Sequence, residues 1–276
     1  MPEPKQQKQL PQIVLFGASL TQWSFNEHDR GFGWVLTNKY EGKAEVVNEG
    51  VAGYTSTLLR PNFDHLIQRC TAPSSPSTLL ITIFLGANDA CLIGPESREY
   101  VPLSEFESNL REFVEKILVQ DNMPETRIVL MSPPPINIRD PASDVDVGVA
   151  GEQEDEEKTK KGRGYQTYTS KRRYAEKVME IARSYEETGR VVGCDIWKAL
   201  IDEALEEHGR GNEREEERYD VNRLPGCGLR GAREFREGYF TDGLHFGALG
   251  YGVVGKKLLK VVLETWPDLE PEKLGN

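Results

Sequence analysis

Ser19 stands two residues after Gly17, where the apolar run Ile13-Val14-Leu15-Phe16 gives way to polar sequence. Near the other end, Asp242-Gly243-Leu244-His245 places a carboxylate three residues before an imidazole. A serine hydroxyl attacks poorly until a base takes its proton, and a neutral imidazole near pH 7 does this well. The imidazole needs an acceptor on its other nitrogen to fix its tautomer. A turn brings positions three apart together, so Asp242 can hold Nδ1 of His245 while Nε2 faces Ser19. A tetrahedral intermediate also needs donors for its oxyanion. The backbone N–H of Ser19, the backbone N–H of Gly53 and the side-chain amide of Asn88 can supply three. Taken singly, each residue has an ordinary explanation. Ser19 and Asn88 can open helices, Gly53 and Asp242 can form turns, and a lone histidine is commonly structural. The other histidines, His28, His65 and His208, have no comparable partner. It is the joint occurrence, in order along the chain, that points to nucleophilic chemistry.

The elements around these residues supply the order. Ile13–Phe16, Ala44–Asn48, Thr78–Leu85, Arg127–Met131 and Arg190–Asp195 are short apolar or β-branched runs, the length of buried strands. Between them lie helical patterns: Gly33–Tyr40; a helix from Pro61 with Phe63, Leu66, Ile67 and Cys70; one with Phe106, Leu110, Phe113 and Ile117; one with Tyr174, Val178, Ile181 and Tyr185; and Trp197–Leu205. A final helix presents Tyr251, Val254, Leu258 and Val261 inward. Ser104-Glu105-Phe106-Glu107 reads as a capping box, and Trp23–Asp29 reads as a loop. Strands alternating with helices predict an α/β fold, a parallel sheet covered on both faces. In such a sheet the loops beyond the carboxyl strand ends share one edge. Ser19, Gly53 and Asn88 follow the first three strands, and Asp242 and His245 precede the last helix.

At 276 residues and a formal net charge of -11, the chain lacks the basic footprint of a nucleic-acid binder. The acidity also argues against an anionic membrane surface. No apolar run approaches the length of a membrane span, and no signal peptide is legible at the N-terminus. Cys70, Cys91, Cys194 and Cys227 are scattered, with no CxxC pair, and read as reduced structural thiols. With no HExxH, no histidine cluster and no phosphate loop, neither a metal nor a cofactor is implied. We therefore expect one domain over residues 1–276, in the cytoplasm, with two charged surface insertions at 142–164 and 206–238. A homo-oligomer stays open.

Phe16-Gly17-Ala18-Ser19-Leu20-Thr21, Asn48-Glu49-Gly50-Val51-Ala52-Gly53-Tyr54-Thr55, Gly86-Ala87-Asn88-Asp89 and Asp242-Gly243-Leu244-His245 resemble the four blocks of the SGNH (GDSL-type) hydrolase superfamily. The resemblance implies a flavodoxin-like three-layer α/β/α sandwich with a five-stranded parallel sheet. It implies Ser19 as nucleophile, His245 as base, Asp242 as its orienter, and Ser19, Gly53 and Asn88 as the oxyanion hole. Within the superfamily the chain looks most like the isoamyl acetate-hydrolysing esterases, with Trp23 and Phe25 after the first block and the turn Ser132-Pro133-Pro134-Pro135. Trp23, Phe25 and Pro133–Ile136 are candidate pocket walls or plain core. Ala18 stands where the superfamily's signature has Asp, which bears on loop packing and substrate preference rather than on the triad. Thr21 is not glycine, so the Gly-x-Ser-x-Gly elbow of α/β-hydrolases is absent.

The expectation is a serine esterase acting on short-chain carboxylic esters, such as acetates of small alcohols. Its activity should fall as protonation removes the base, below roughly pH 6.5. A carbohydrate O-deacetylase, a lysophospholipase or a thioesterase would use the same residues. A non-catalytic binding protein would not need all of them, and an interaction platform would use the charged tracts instead.

Overall fold

In a computed structural model, which describes residues 9–92, 99–138, 163–229 and 231–274, five strands form one sheet. They are β1 (Gln12–Gly17), β2 (Glu45–Gly50), β3 (Thr78–Phe84), β4 (Arg127–Met131) and β5 (Val191–Cys194). The order is β2-β1-β3-β4-β5 and every pairing is parallel. This is the flavodoxin-like arrangement, whose strand order reverses beside β1.

Strand alternation divides the interior in two. Ile13, Leu15, Leu80, Val129 and Met131 enter one core with Leu36, Leu200, Tyr251 and Leu258. Val14, Phe16, Ile81, Ile128 and Leu130 enter the other with Phe63, Phe106, Phe113 and Val178. The helices behind these side chains form the outer layers. On the first face are α2 (Phe32–Lys39), α6 (Ile196–Glu207) and α8 (Ala248–Thr265); on the second, α3 (Arg60–Thr71) and α4 (Leu103–Leu118). The long α5 (Arg163–Ser184) contributes Tyr168 and Ala175 to one core and Tyr174 and Val178 to the other. Two short helices stand beside these among the described residues, α1 (Ser19–Gln22) and α7 (Glu215–Arg218). Among the described residues, no helix is long and apolar enough to cross a membrane.

Several sequence expectations need correcting. The capping box does not form: α4 starts at Leu103 with Pro102 as N-cap, and no side chain caps it. Proline already fixes the φ that helix entry requires, so Ser104 lies inside the first turn and Glu107 pairs with Arg111 and Lys177. Trp23–Phe25 is a 3-10 turn rather than loop. In α8 the inward stripe steps by four, so Val262 is buried and Val261 only partly so. In the tract 206–238, Leu224, Cys227, Leu229 and Phe235 are buried in a core, and the Arg210 and Arg218 side chains are largely covered as well. Of the other expected insertion, 142–162 lies outside the described residues, and Arg163 and Gly164 begin α5.

Candidate active site

The loop after β1 is shaped by close approach. A Cβ on Gly17 would stand 2.6 Å from the Phe84 carbonyl oxygen and 2.2 Å from Thr21 Oγ1, so only glycine fits beside β3. Ala18 takes the N-cap of α1 and brings no side-chain cap. Ser19, 5% exposed, therefore opens the helix. The first N–H groups of a helix have no intrahelical acceptor, which leaves the Ser19 amide as a donor next to its own hydroxyl.

The other half of the constellation sits on the loop before α8. Phe240 and Phe246 bridge across its base, and Thr241 N–H donates to the His245 carbonyl at 2.8 Å. Inside it, Asp242 Oδ1 accepts from the N–H groups of Leu244 (2.9 Å) and His245 (2.8 Å). Asp242 Oδ2 lies 2.6 Å from His245 Nδ1, and His245 Nε2 lies 3.0 Å from Ser19 Oγ. Burial works against the charge on Asp242, but hydrogen bonds from His245 and Leu244 outweigh it and hold the carboxyl below its ordinary range. An ionised carboxylate only accepts, so Nδ1 carries the ring proton and Nε2 accepts from the Ser19 hydroxyl. Unlike a buried orienting aspartate, Asp242 has a side chain 56% exposed. Backbone amides, not burial, fix its position.

Gly53 and Asn88 sit in the neighbouring loops. Gly53 has φ +77°, and nothing lies within 4 Å of where its Cβ would be, so the glycine serves the turn and faces open space. Asn88 is buried, and its Nδ2 donates to the Tyr54 carbonyl at 2.8 Å. A primary amide has two N–H donors, so one remains beyond that bond. The β2 loop is tied in turn to α1. Val51 N–H donates to Gly17 O at 3.0 Å, Ala52 N–H to Gln22 Oε1 at 2.7 Å, and Asn48 Nδ2 to Gln22 O at 2.9 Å. Ser19 at the start of α1, and the other four residues on loops, thus lie at or packed against one sheet edge.

Of the candidate walls, Trp23 lies tilted against His245, with ring centroids 4.4 Å apart, and is half exposed. Phe25 instead lies against Gly33, within the core packing. Pro133 is buried against Gly86. Sequence reasoning missed Asn137, whose N–H donates to Gly243 O at 2.8 Å and whose Oδ1 accepts from Phe235 N–H at 3.0 Å. It anchors the histidine loop from below, and no periodicity or motif marks it. A cavity of about 690 Å³ between α5, α6 and α7, lined by Arg172, Trp197, Lys198 and Tyr219, includes none of these residues.

A family model described as GDSL-like Lipase/Acylhydrolase matches residues 13–258. The chain belongs to this family. The match runs from β1 into α8 and so takes in Ser19, Gly53, Asn88, Asp242 and His245. Isoamyl acetate-hydrolyzing esterase 1 homolog of Mus musculus is 35% identical over 126 residues, 46% of this chain and 49% of that protein. The match to such relatives therefore spans about half their length. A GDSL esterase/lipase of Arabidopsis thaliana is 30% identical over 268 residues, 96% of this chain and 89% of that protein. The isoamyl acetate-hydrolyzing esterase of Saccharomyces cerevisiae is 27% identical over 269 residues, 95% and 90%. Among solved structures, the lipase/acylhydrolase from Enterococcus faecalis superposes with a TM-score of 0.53 at 18% identity, covering 92% of this chain and 95% of that one. That likeness establishes the family's fold in the chain.

Proposed function

We propose that the chain is a serine esterase hydrolysing short-chain carboxylic esters, acetates of small alcohols above all, through an acyl-enzyme. The observation that carries this reading is the continuous relay from Ser19 Oγ to His245 Nε2 (3.0 Å) and from His245 Nδ1 to Asp242 Oδ2 (2.6 Å). The relay accounts for each step. Nε2 takes the hydroxyl proton as Oγ attacks the ester carbonyl carbon, and the carbonyl oxygen becomes an oxyanion. The N–H groups of Ser19 and Gly53 and the free N–H of Asn88 serve as its donors. The tetrahedral intermediate collapses by breaking the bond to the alcohol oxygen, which leaves with the proton held on His245. Water, deprotonated by the same Nε2, then cleaves the acyl group from Ser19 and restores the hydroxyl.

Support for the acyl length comes from similarity over 95% of this chain and 90% of a yeast protein named isoamyl acetate-hydrolyzing esterase. The four thiols, all buried and free, fit a reducing compartment and support a cytoplasmic location. The decisive assay compares the chain with Ser19→Ala on a chromogenic acetate ester. Loss of turnover by about a thousandfold or more in the folded variant is expected. A folded wild type inactive on acetate and longer esters alike would refute the proposal and favour a binding protein.

A further inference from the structure

Lys171 is 1% exposed, in the middle of α5, on a helix face otherwise occupied by core residues. Removing an ammonium from water costs several kcal/mol even after relaxation, so its neighbours should show what is gained. Nζ donates to the carbonyl of Ala87, the residue immediately before Asn88. The charged groups around it are Asp89 and Glu99, with the Cys91 thiol also within electrostatic reach. Burial pulls the ammonium down to about 8, against the opposing pull of these neighbours.

The β3–α4 loop is gripped at three points from this one face. Thr167 Oγ1 accepts from Leu92 N–H at 3.2 Å, Lys171 holds Ala87 O, and the Tyr174 hydroxyl donates to Val101 O. The spacing i, i+4, i+7 puts all three on one stripe of the helix. Within the loop, each of three successive residues is fixed by a different partner. Ala87 is held by Lys171, Asn88 by Tyr54 O, and Asp89 by Ser56 N–H, which donates to Oδ1 at 2.8 Å. The Ala87 carbonyl and the Asn88 N–H belong to the same planar peptide unit. Fixing that oxygen fixes the orientation from which the Asn88 side chain departs. A neutral hydroxyl would satisfy a lone carbonyl; a charged donor holds that oxygen more strongly and so resists rotation of the plane.

We propose that Lys171 is a positioning residue for ester hydrolysis: it locks the Ala87–Asn88 peptide plane and so sets where the Asn88 amide stands. The proposal rests on the reading of Asn88 as an oxyanion donor. Its test is a double-mutant cycle of Lys171→Met and Asn88→Ala, read as kcat and KM on p-nitrophenyl acetate, with folding followed by circular dichroism. Lys171→Met alone is expected to lower kcat by about tenfold to a hundredfold with KM moving less than about threefold. In the Asn88→Ala background the same change should alter kcat by less than about twofold, because the group it positions is gone. Equal losses on both backgrounds mean that Lys171 acts only through the fold, and overturn the proposal; so does an unchanged kcat in Lys171→Met. If Asn88→Ala itself leaves kcat intact, the oxyanion reading is what has failed, and the proposal goes with it. Should Lys171→Met not fold, Lys171→Gln, a neutral donor one bond shorter, enters the same cycle and is judged by the same coupling.

Discussion

The indole of Trp23 lies against the imidazole of His245, ring centroids 4.4 Å apart and planes at 53°. Trp23 follows α1 directly, so the segment that carries Ser19 also braces the ring that would deprotonate it. Two hydrogen-bond contacts also hold that ring, Asp242 at Nδ1 and Ser19 at Nε2. The indole restrains it from the side.

Trp23→Ala should therefore weaken catalysis more than stability. An aromatic pair contributes about 0.5–1.5 kcal/mol beyond its buried area, which translates to a fall in kcat/KM of about twofold to tenfold. Because the side chain is half exposed, Tm should change little. Trp23→Phe should recover most of the loss. Steady-state kinetics beside thermal melts test this, and a large drop in Tm with unchanged kcat/KM would contradict it.

Gly243→Ala should damage the histidine loop. Gly243 has φ +85°, and a Cβ there would stand 2.7 Å from the Asn137 carbonyl oxygen. Backbone cannot yield as a flexible side chain does, so strain of about 1–3 kcal/mol adds to that clash. We expect lower stability in urea and a fall in kcat of at least about tenfold.

Asn137→Ala would leave the buried Phe235 N–H without the Oδ1 acceptor it now has at 3.0 Å. An orphaned buried donor costs about 1–3 kcal/mol. Urea unfolding should show a loss in that range, and Asn137→Asp, which keeps an acceptor oxygen, should lose less.

Asp242→Asn should cost activity on the order of a thousandfold or more at neutral pH, because the amide favours the wrong tautomer of His245. The stability effect carries a definite sign. The Asp242 carboxyl is held below its ordinary range in the folded chain. Its contribution is thus present above the unfolded carboxylate range and lost as pH falls through the folded value. The stability gap between wild type and Asp242→Asn should narrow as the solution is acidified. Denaturation curves at neutral and acid pH measure it; a gap that widens in acid would reverse the assignment.

The strands were legible because each is a short apolar run closed by glycine, proline or a polar residue, as in Ile13–Phe16 before Gly17 and Arg127–Met131 before Pro133. The candidate site was legible because its residues follow those runs directly or stand three apart. What sequence alone misses depends on partners distant in the chain. Asn137 sits in a loop without pattern, and its meaning comes from Gly243 and Phe235. Lys171 is a charged residue on the buried side of α5, between Tyr168 and Tyr174, a signal that marks it as odd without naming Ala87. In 206–238 the abundance of charge hides the few apolar side chains that reach the core. The capping box failed for the opposite reason: a local pattern was complete, and the proline just before it had already set the helix start.

Ser19 and His245 are 226 positions apart, and the loop bearing the histidine is pinned by Phe246 packing on Tyr251 of α8. Until that last helix docks, Ser19 has no imidazole beside its hydroxyl. Under the proposed function, ester turnover would be a built-in gauge of complete refolding: after dilution from denaturant, recovery of rate should trail the recovery of helical signal, timed by the arrival of α8.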